Sequence, residues 1–526
     1  MIASQLMIAF AGRELPREVA DQIRARPFAG VTLFRFHNVE SAAQVRALTA
    51  GLQSAAEASS KPLLIATDQE GGQLVALGDE TTQFAGAMAM GAAGDEDLAE
   101  RVARATAIEL RALGVNVNYA PVCDLASNQE NPSLGIRSFG DDPGKVGALA
   151  AATVRGLQAE GVAATLKHFP GHGDITVDTH HDLAIVNRSR EEFMARELVP
   201  FRAGIEAGAK LVMAGHFALP ALTGDPSLPA SLAREVITDL LRNDLGFNGM
   251  AITDALDMHA LAQGAAQIVD AICAVQAGED LLLGTADPEQ IQRLEEGLEQ
   301  AERRGLTDER GRQASAGRLE AVRRWAAGYE QPPLEVVGSA EHAALADELA
   351  RRSITLVRND DGLLPLRLPA DARICVVQPQ PTDLTPADTS SYVPPLLAHA
   401  IQRRHAATEE FIVGTSPSES EIASLANGLA RYDLIVLSTV AANLNAAQQA
   451  LAHQVLALDR PTVTVALRTP WDITAYPESR THVCSFGILA PTMEALAATL
   501  FGEIPFSGRL PVEIRGLHAR GHGLTA

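Results

Sequence analysis

Residues 163–182 read AATLKHFPGHGDITVDTHHD. The first four, Ala163–Leu166, have the length and apolar character of a short strand buried on both faces. They run without a break into a loop that holds His168, His172, His180, His181, Asp174, Asp178 and Asp182. The same change from apolar strand to polar loop recurs along the first 330 residues. Strand candidates are Leu6–Phe10, Val31–Phe34, Leu63–Ala66, Val115–Tyr119, Ala163–Leu166, Leu211–Ala214, Met250–Thr253 and Asp280–Leu283. Helical spacing of apolar residues fills stretches between them, as in Asp97–Leu113 and Val146–Glu160. Eight such strands with intervening helices predict an α/β chain whose residues 1–330 form a (β/α)8, TIM-like barrel.

Outward from the barrel, the charged stretch Arg304–Tyr329 reads as a closing helix. Glu330–Glu335, EQPPLE, reads as a linker, because its prolines resist helix. Residues 331–350 are expected to hold the linker and a connecting helix that starts near His342 and ends near Ile354. Residues 351–526 contain three further strand candidates, Ile374–Val377, Leu434–Leu437 and Val463–Ala466. Their spacing predicts a second domain of open α/β (αβα sandwich) type. The segment Pro381–Pro395 is rich in Pro, Thr, Ser and Asp and reads as a surface loop. No phosphate-binding or dinucleotide-binding glycine fingerprint is present.

Composition narrows the function classes. The chain has 526 residues, with 43 Lys and Arg against 65 Asp and Glu, a net charge of −22. That balance argues against a nucleic-acid or anionic-membrane partner, while a local basic pocket stays compatible with it. Cys123, Cys273, Cys375 and Cys484 lie far apart and form no C-x-x-C pair, which suits buried thiols in a reducing compartment. The N-terminal stretch has no Lys or Arg ahead of its apolar run and fits a first strand better than a signal peptide. No uncharged apolar run reaches the ~20 residues of a spanning helix. The expected location is cytoplasmic.

Several strands end in polar signatures: Asp68–Gly72 (DQEGG) after the third, and Cys123–Asp124 and Asn131–Gly140 (NPSLGIRSFG) after the fourth. Lys167–Asp182 follows the fifth, Gly215–His216 the sixth, and Asp254 ends the seventh. The histidine-rich loop admits three readings. It could ligate zinc or iron, run acid/base catalysis through a His tuned by an Asp, or fold tightly for structural reasons alone. Asp254 alone could be a helix N-cap. With a His-bearing loop two strands away it could instead be the nucleophile of a retaining glycosidase. Such an enzyme needs a second group across the bond, at about 5 Å when both are carboxylates. Asp68, Arg137, Lys167 and His168 would supply fixed partners for sugar hydroxyls, or would form structural ion pairs.

These motifs together resemble glycoside hydrolase family 3, and within it the bacterial β-N-acetylglucosaminidases. The resemblance rests on ATDQEGG, NPSLGIRSFG, KHFPGHGD with VDTH, and GFNGMAITDALDM. In the second domain it rests on RSITLVRNDDGLLPL (Arg352–Leu366) and IPFSGRLPVEI. It implies a two-domain retaining hydrolase without cofactor or metal, releasing terminal N-acetylglucosamine from oligosaccharides such as cell-wall fragments. It implies Asp254 as nucleophile and an Asp178–His180 dyad as acid/base, with D-T-H where the family more often has D-S-H. It places Asp68, Asp124, Arg137, Lys167 and His168 in the sugar subsite, and His216 is grouped with them as a substrate-binding candidate. Since His180 fills the acid/base role, the second domain is expected to support the site rather than catalyse. A phosphorylase that uses phosphate in place of water, and a β-glycosidase of broader range, are the alternatives within sugar chemistry. A metal-dependent hydrolase or a noncatalytic sugar-binding protein lies outside it. Oligomeric state is not readable.

Overall fold

The computed structural model describes residues 2–57 and 61–525. Eight parallel strands close a barrel: β1 Leu6–Ile8, β2 Gly30–Thr32, β3 Leu64–Thr67, β4 Val117–Asn118, β5 Ala163–Phe169, β6 Leu211–Ala214, β7 Met250–Ala255 and β8 Leu281–Leu283. They stand in chain order, and β1 pairs with both β2 and β8 to complete the ring. Successive side chains point to opposite faces of a strand. Accordingly Met7, Leu64, Ala66, Met213 and Ile252 gather in an inner cluster. Their chain neighbours Leu6, Ile8, Ile65, Val212 and Ala251 pack outward against the helices.

The helix expected from Arg304–Tyr329 forms over Glu309–Ala327 and plugs the N-terminal end of the barrel. Leu319 and Val322 on it join the inner cluster. Arg323 donates to the carbonyls of Phe28 and Ala29 at 2.7 and 3.0 Å, just ahead of β2. Arg318 pairs with Asp280, just ahead of β8, at 2.6 Å. One end is thereby sealed. Tyr119, buried beyond β4 with its hydroxyl 2.9 Å from Thr32 Oγ1, fills the barrel from within. The open end is the one from which the polar loops leave.

The second sheet has six strands where three were expected. They are β9 Thr355–Asn359, β10 Ile374–Pro379, β11 Thr408–Val413, β12 Leu434–Thr439, β13 Thr462–Ala466 and β14 Thr481–Cys484. Their order is β9–β14–β13–β12–β10–β11, with β9 antiparallel to β14 and the other pairs parallel. Three of the four interior strands, β10, β12 and β13, are the expected ones, and they are buried along nearly their whole length. The edge strands β9 and β11 carry polar, partly exposed residues, as edges do. Among the described residues no helix is long and apolar enough to cross a membrane.

Pro381–Pro395 is a loop exposed at Thr382–Leu384 and Ser391–Tyr392, as expected, but part of it turns inward. Thr385, Asp388, Thr389 and Ser390 within it are buried. Asp388 pairs with buried Arg468 at 2.6 Å and accepts the amides of Leu384 and Ser390. Thr389 bonds Gln73 and Val75 of the barrel, and the Arg35 guanidinium lies 4.1 Å over the Tyr392 ring. A polar composition marks a loop here, and its inward-facing Asp388 and Thr389 spend their polar groups on Arg468 and the barrel.

Candidate active site

At the open end, β5 delivers Lys167 and His168 to the centre. The Lys167 ammonium lies 2.6 Å from Asp68 Oδ1 and 2.6 Å from Glu70 Oε1. Arg137, on a short turn after β4, clasps Glu70 with Nε and Nη2 at 2.9 and 2.8 Å. Its Nη2 also reaches His168 Nε2 at 3.4 Å. Burial alone would raise the Glu70 pKa, but Arg137 and Lys167 outweigh it and hold the carboxyl down to about 2. Asp68 keeps a raised pKa, from burial first and then Glu70, against the pull of Lys167. Among the described residues Arg137 Nη1 makes no hydrogen bond, and Lys167 uses two of its three N–H donors. This leaves a row of fixed donors with acceptors beside them, the pattern a sugar's hydroxyls require.

Behind this row stands Asp124, fully buried. It accepts the main-chain N–H of His168 (3.2 Å) and of His172 (3.0 Å), and the ring Nδ1–H of His168 at 2.7 Å. His172 stacks on His168 with ring centroids 4.4 Å apart. His168 is pushed down to about 4, by burial first and then by His172 and Arg137, against Asp124. It is therefore neutral near pH 7, with Nε2 as an acceptor. Asp124, His168 and His172 are close enough to hold a metal ion. The donor set fits one poorly: three N–H groups already occupy the Asp124 carboxylate, and the Arg137 guanidinium faces the free nitrogen of His168.

The rest of the loop carries the second group. Asp178 Oδ1 accepts both the His180 amide at 3.0 Å and the His180 Nδ1–H at 2.7 Å. Those bonds hold the Asp178 carboxyl below its usual range despite its burial. The His180 side chain is 26% exposed, and its Nε2 has no protein partner among the described residues. The His180 carbonyl accepts from His259 at 3.1 Å, which joins this loop to the one after β7. Asp254, at the end of β7, is half-buried and accepts the Ala255 amide at 2.8 Å. Burial would raise its pKa, but His168, His216, His180 and that amide together lower it, so it is ionised at neutral pH. His216 lies behind β7: Nε2–H donates to the Ala255 carbonyl at 3.1 Å, and Nδ1 faces Ser231 Oγ at 2.7 Å. Gly173 has no room for a side chain, since a Cβ there would fall 1.8 Å from the Leu125 carbonyl.

A carboxylate kept charged, an imidazole with one free nitrogen and a cradle of fixed donors now stand together at the open end of the barrel. The sequence descriptions "Glycosyl hydrolase family 3 N terminal domain" and "Glycosyl hydrolase family 3 C-terminal domain" match residues 3–316 and 354–519. The chain belongs to glycosyl hydrolase family 3. This family 3 hydrolase is 30% identical to the beta-hexosaminidase A of Pseudoalteromonas piscicida, over 95% of this chain and 91% of that one. It is 32% identical to the beta-N-acetylglucosaminidase/beta-glucosidase of Cellulomonas fimi, over 90% and 87% of the two chains. Its fold matches a family 3 beta-N-acetylglucosaminidase from Paenibacillus sp. str. FPU-7 with a TM-score of 0.91, at 34% identity and 98% coverage of both chains.

All nine residues singled out in the sequence of this hydrolase reach the open end of the barrel. Two of them, Asp124 and His216, have their polar atoms committed to protein partners, so they brace the wall rather than face a ligand. Glu70 was missed, although it sits within DQEGG and joins the two cations of the cradle. The only signal was a second carboxylate two residues from Asp68, and its pairing with Arg137 spans 67 residues. Ser231 was missed for the same reason: its contact with His216 is buried and spans 15 residues.

Proposed function

We propose that this family 3 hydrolase is a retaining, exo-acting β-N-acetylglucosaminidase. The observation that carries the reading is His180, tethered to Asp178 through Nδ1, about a quarter exposed to solvent and within the field of ionised Asp254. In the first step an Asp254 oxygen attacks the anomeric carbon. The glycosidic C–O bond breaks, and the Nε2–H of protonated His180 passes to the departing oxygen. Asp178 fixes the ring and its tautomer through the bond to Nδ1. In the second step neutral His180 takes a proton from water, the water oxygen bonds the anomeric carbon, and the Asp254 ester is released with net retention. The sealed barrel beneath the pocket supports exo action, since a chain end can enter but a chain cannot pass through.

The names carried by the similar proteins above support N-acetylglucosamine as the ring in the pocket. Lys167, Asp68, Arg137 and His168 are its hydrogen-bonding partners in this reading. Cell-wall fragments with a terminal N-acetylglucosamine fit an exo pocket of this kind. Water is the acceptor. Replacing Asp254 with Ala lowers turnover of an aryl N-acetylglucosaminide by about four orders of magnitude or more. Near-normal turnover in that variant overturns the nucleophile assignment. Turnover at millimolar phosphate that yields mainly the sugar 1-phosphate overturns the choice of water.

A further inference from the structure

Glu197 has no part in the chemistry above, and its surroundings are unusual. It sits where helix Arg190–Arg196 meets helix Leu198–Glu206, only 1% exposed. Among the described residues neither carboxyl oxygen has a hydrogen-bond partner. A Cβ placed on Gly171 would lie 3.1 Å from Glu197 Cβ and 3.5 Å from its Oε2. The carboxyl therefore lies against the backbone of the loop that carries the Asp178–His180 dyad. His172, next along that loop, has its own Nδ1 buried and unpartnered. Arg188, beyond the loop, pairs with Asp174 at 2.7 Å rather than with Glu197.

A buried carboxylate without donors is costly, whereas the neutral acid is tolerated and offers one O–H. We propose that Glu197 is a positioning residue: its neutral carboxyl forms the seat for residues 170–174, and its ionisation lifts that loop and withdraws the dyad from Asp254. The catalytic consequence rests on the dyad reading above, but the loop movement does not. The charged groups around Glu197 are Arg188 and Asp174 from the loop side, Asp124 after β4, and Arg196 on its own helix, with Glu192 facing Arg188. Burial is the largest influence and Asp124 and Asp174 add to it, against Arg188 and Arg196, and the carboxyl is pushed up to about 7. The folded value lies above the ordinary one of 4.5, so the seat is fully stabilising below that range and is lost as pH rises through about 7.

The test is hydrogen exchange of peptides covering residues 170–182 at pH 6 and pH 8.5, corrected for the intrinsic rate, in the wild type and in Glu197→Gln. Protection in the wild type is expected to fall about tenfold across that interval, while the neutral isostere changes by less than about twofold. The ratio of activity at pH 8 to that at pH 6 rises in the variant. Equal pH dependence of protection in both proteins overturns the proposal. If Glu197→Gln does not fold, unchanged wild-type protection between the two pH values overturns it alone. Exchange in His180→Ala separates the two readings: a loop that still opens with pH there keeps the seat even if the dyad assignment fails.

Discussion

Asp254 and Glu70 are both carboxylates in a cluttered pocket, and their neighbours give them different work. Asp254 keeps one oxygen on a backbone amide and, among the described residues, has no Lys or Arg ion pair, which leaves its charge free for the nucleophile role proposed above. Glu70 spends its charge on Lys167 and Arg137 and organises them. Its folded pKa lies below the unfolded one, so its stabilisation is full above about 4.5 and lost as pH falls through about 2. A melting series between pH 6 and pH 2.5 should show a loss of Tm below pH 4.5 that is smaller in Glu70→Gln. An equal acid loss in both proteins contradicts that assignment. His180→Ala is expected to cost about 10²–10⁴-fold on substrates with poor leaving groups and much less on activated aryl glycosides. Equal losses on both kinds of substrate count against the acid role. At this scale the sequence showed which residue types stood at strand ends. It did not show Glu70, because a bridging carboxylate is recognised only once its two cations are brought to it.

At the scale of elements, the barrel strands were legible and the edges of the second sheet were not. A strand covered on both faces must be apolar throughout, and that run is visible in Leu64–Ala66 or Leu211–Ala214. An edge strand such as Thr408–Val413, TEEFIV, opens on three polar residues and lacks the long apolar run that marks a buried strand. The Pro381–Pro395 loop adds a further lesson. Thr389 accepts the Val75 amide at 3.0 Å and donates to the Gln73 carbonyl at 3.1 Å. The Gln73 side chain in turn accepts the Ile136 amide, one residue before Arg137, at 3.4 Å. The second-domain loop thus braces the turn that presents Arg137. Thr389→Val, which keeps the shape and removes the hydroxyl, is expected to raise KM several-fold with kcat little changed, and Thr389→Ser to restore it. A Thr389→Val enzyme with unaltered KM contradicts this brace.

At the scale of the whole molecule, barrel and sheet are joined by buried polar contacts as well as apolar packing. Glu109 of the barrel accepts from Thr82, from the Gly338 amide and from His342 Nδ1, the last at 2.8 Å. Around it, Arg101 pairs with Glu348 and Arg352 with Asp95, at 2.8 and 2.7 Å. Removing the Glu109 carboxylate strands several buried donors, so Glu109→Ala should lower unfolding stability by about 3 kcal/mol or more. A loss below about 1 kcal/mol would show that the junction does not depend on it. No sequence signal marked this tie, because Glu109 and His342 read as ordinary helix residues until the two units meet. The net charge of −22 did not describe the pocket either, where Lys167 and Arg137 set the local field.

The central claim is that Asp254 becomes covalently attached to the sugar while Asp178 and His180 move the proton. Its most direct test is incubation with a fluorinated N-acetylglucosaminide bearing a good leaving group, followed by peptide mass mapping. The account predicts one glycosyl adduct per chain on the peptide containing Asp254, with the first-released natural product in the β configuration. An adduct on another carboxylate, or an inverted α product, would contradict it.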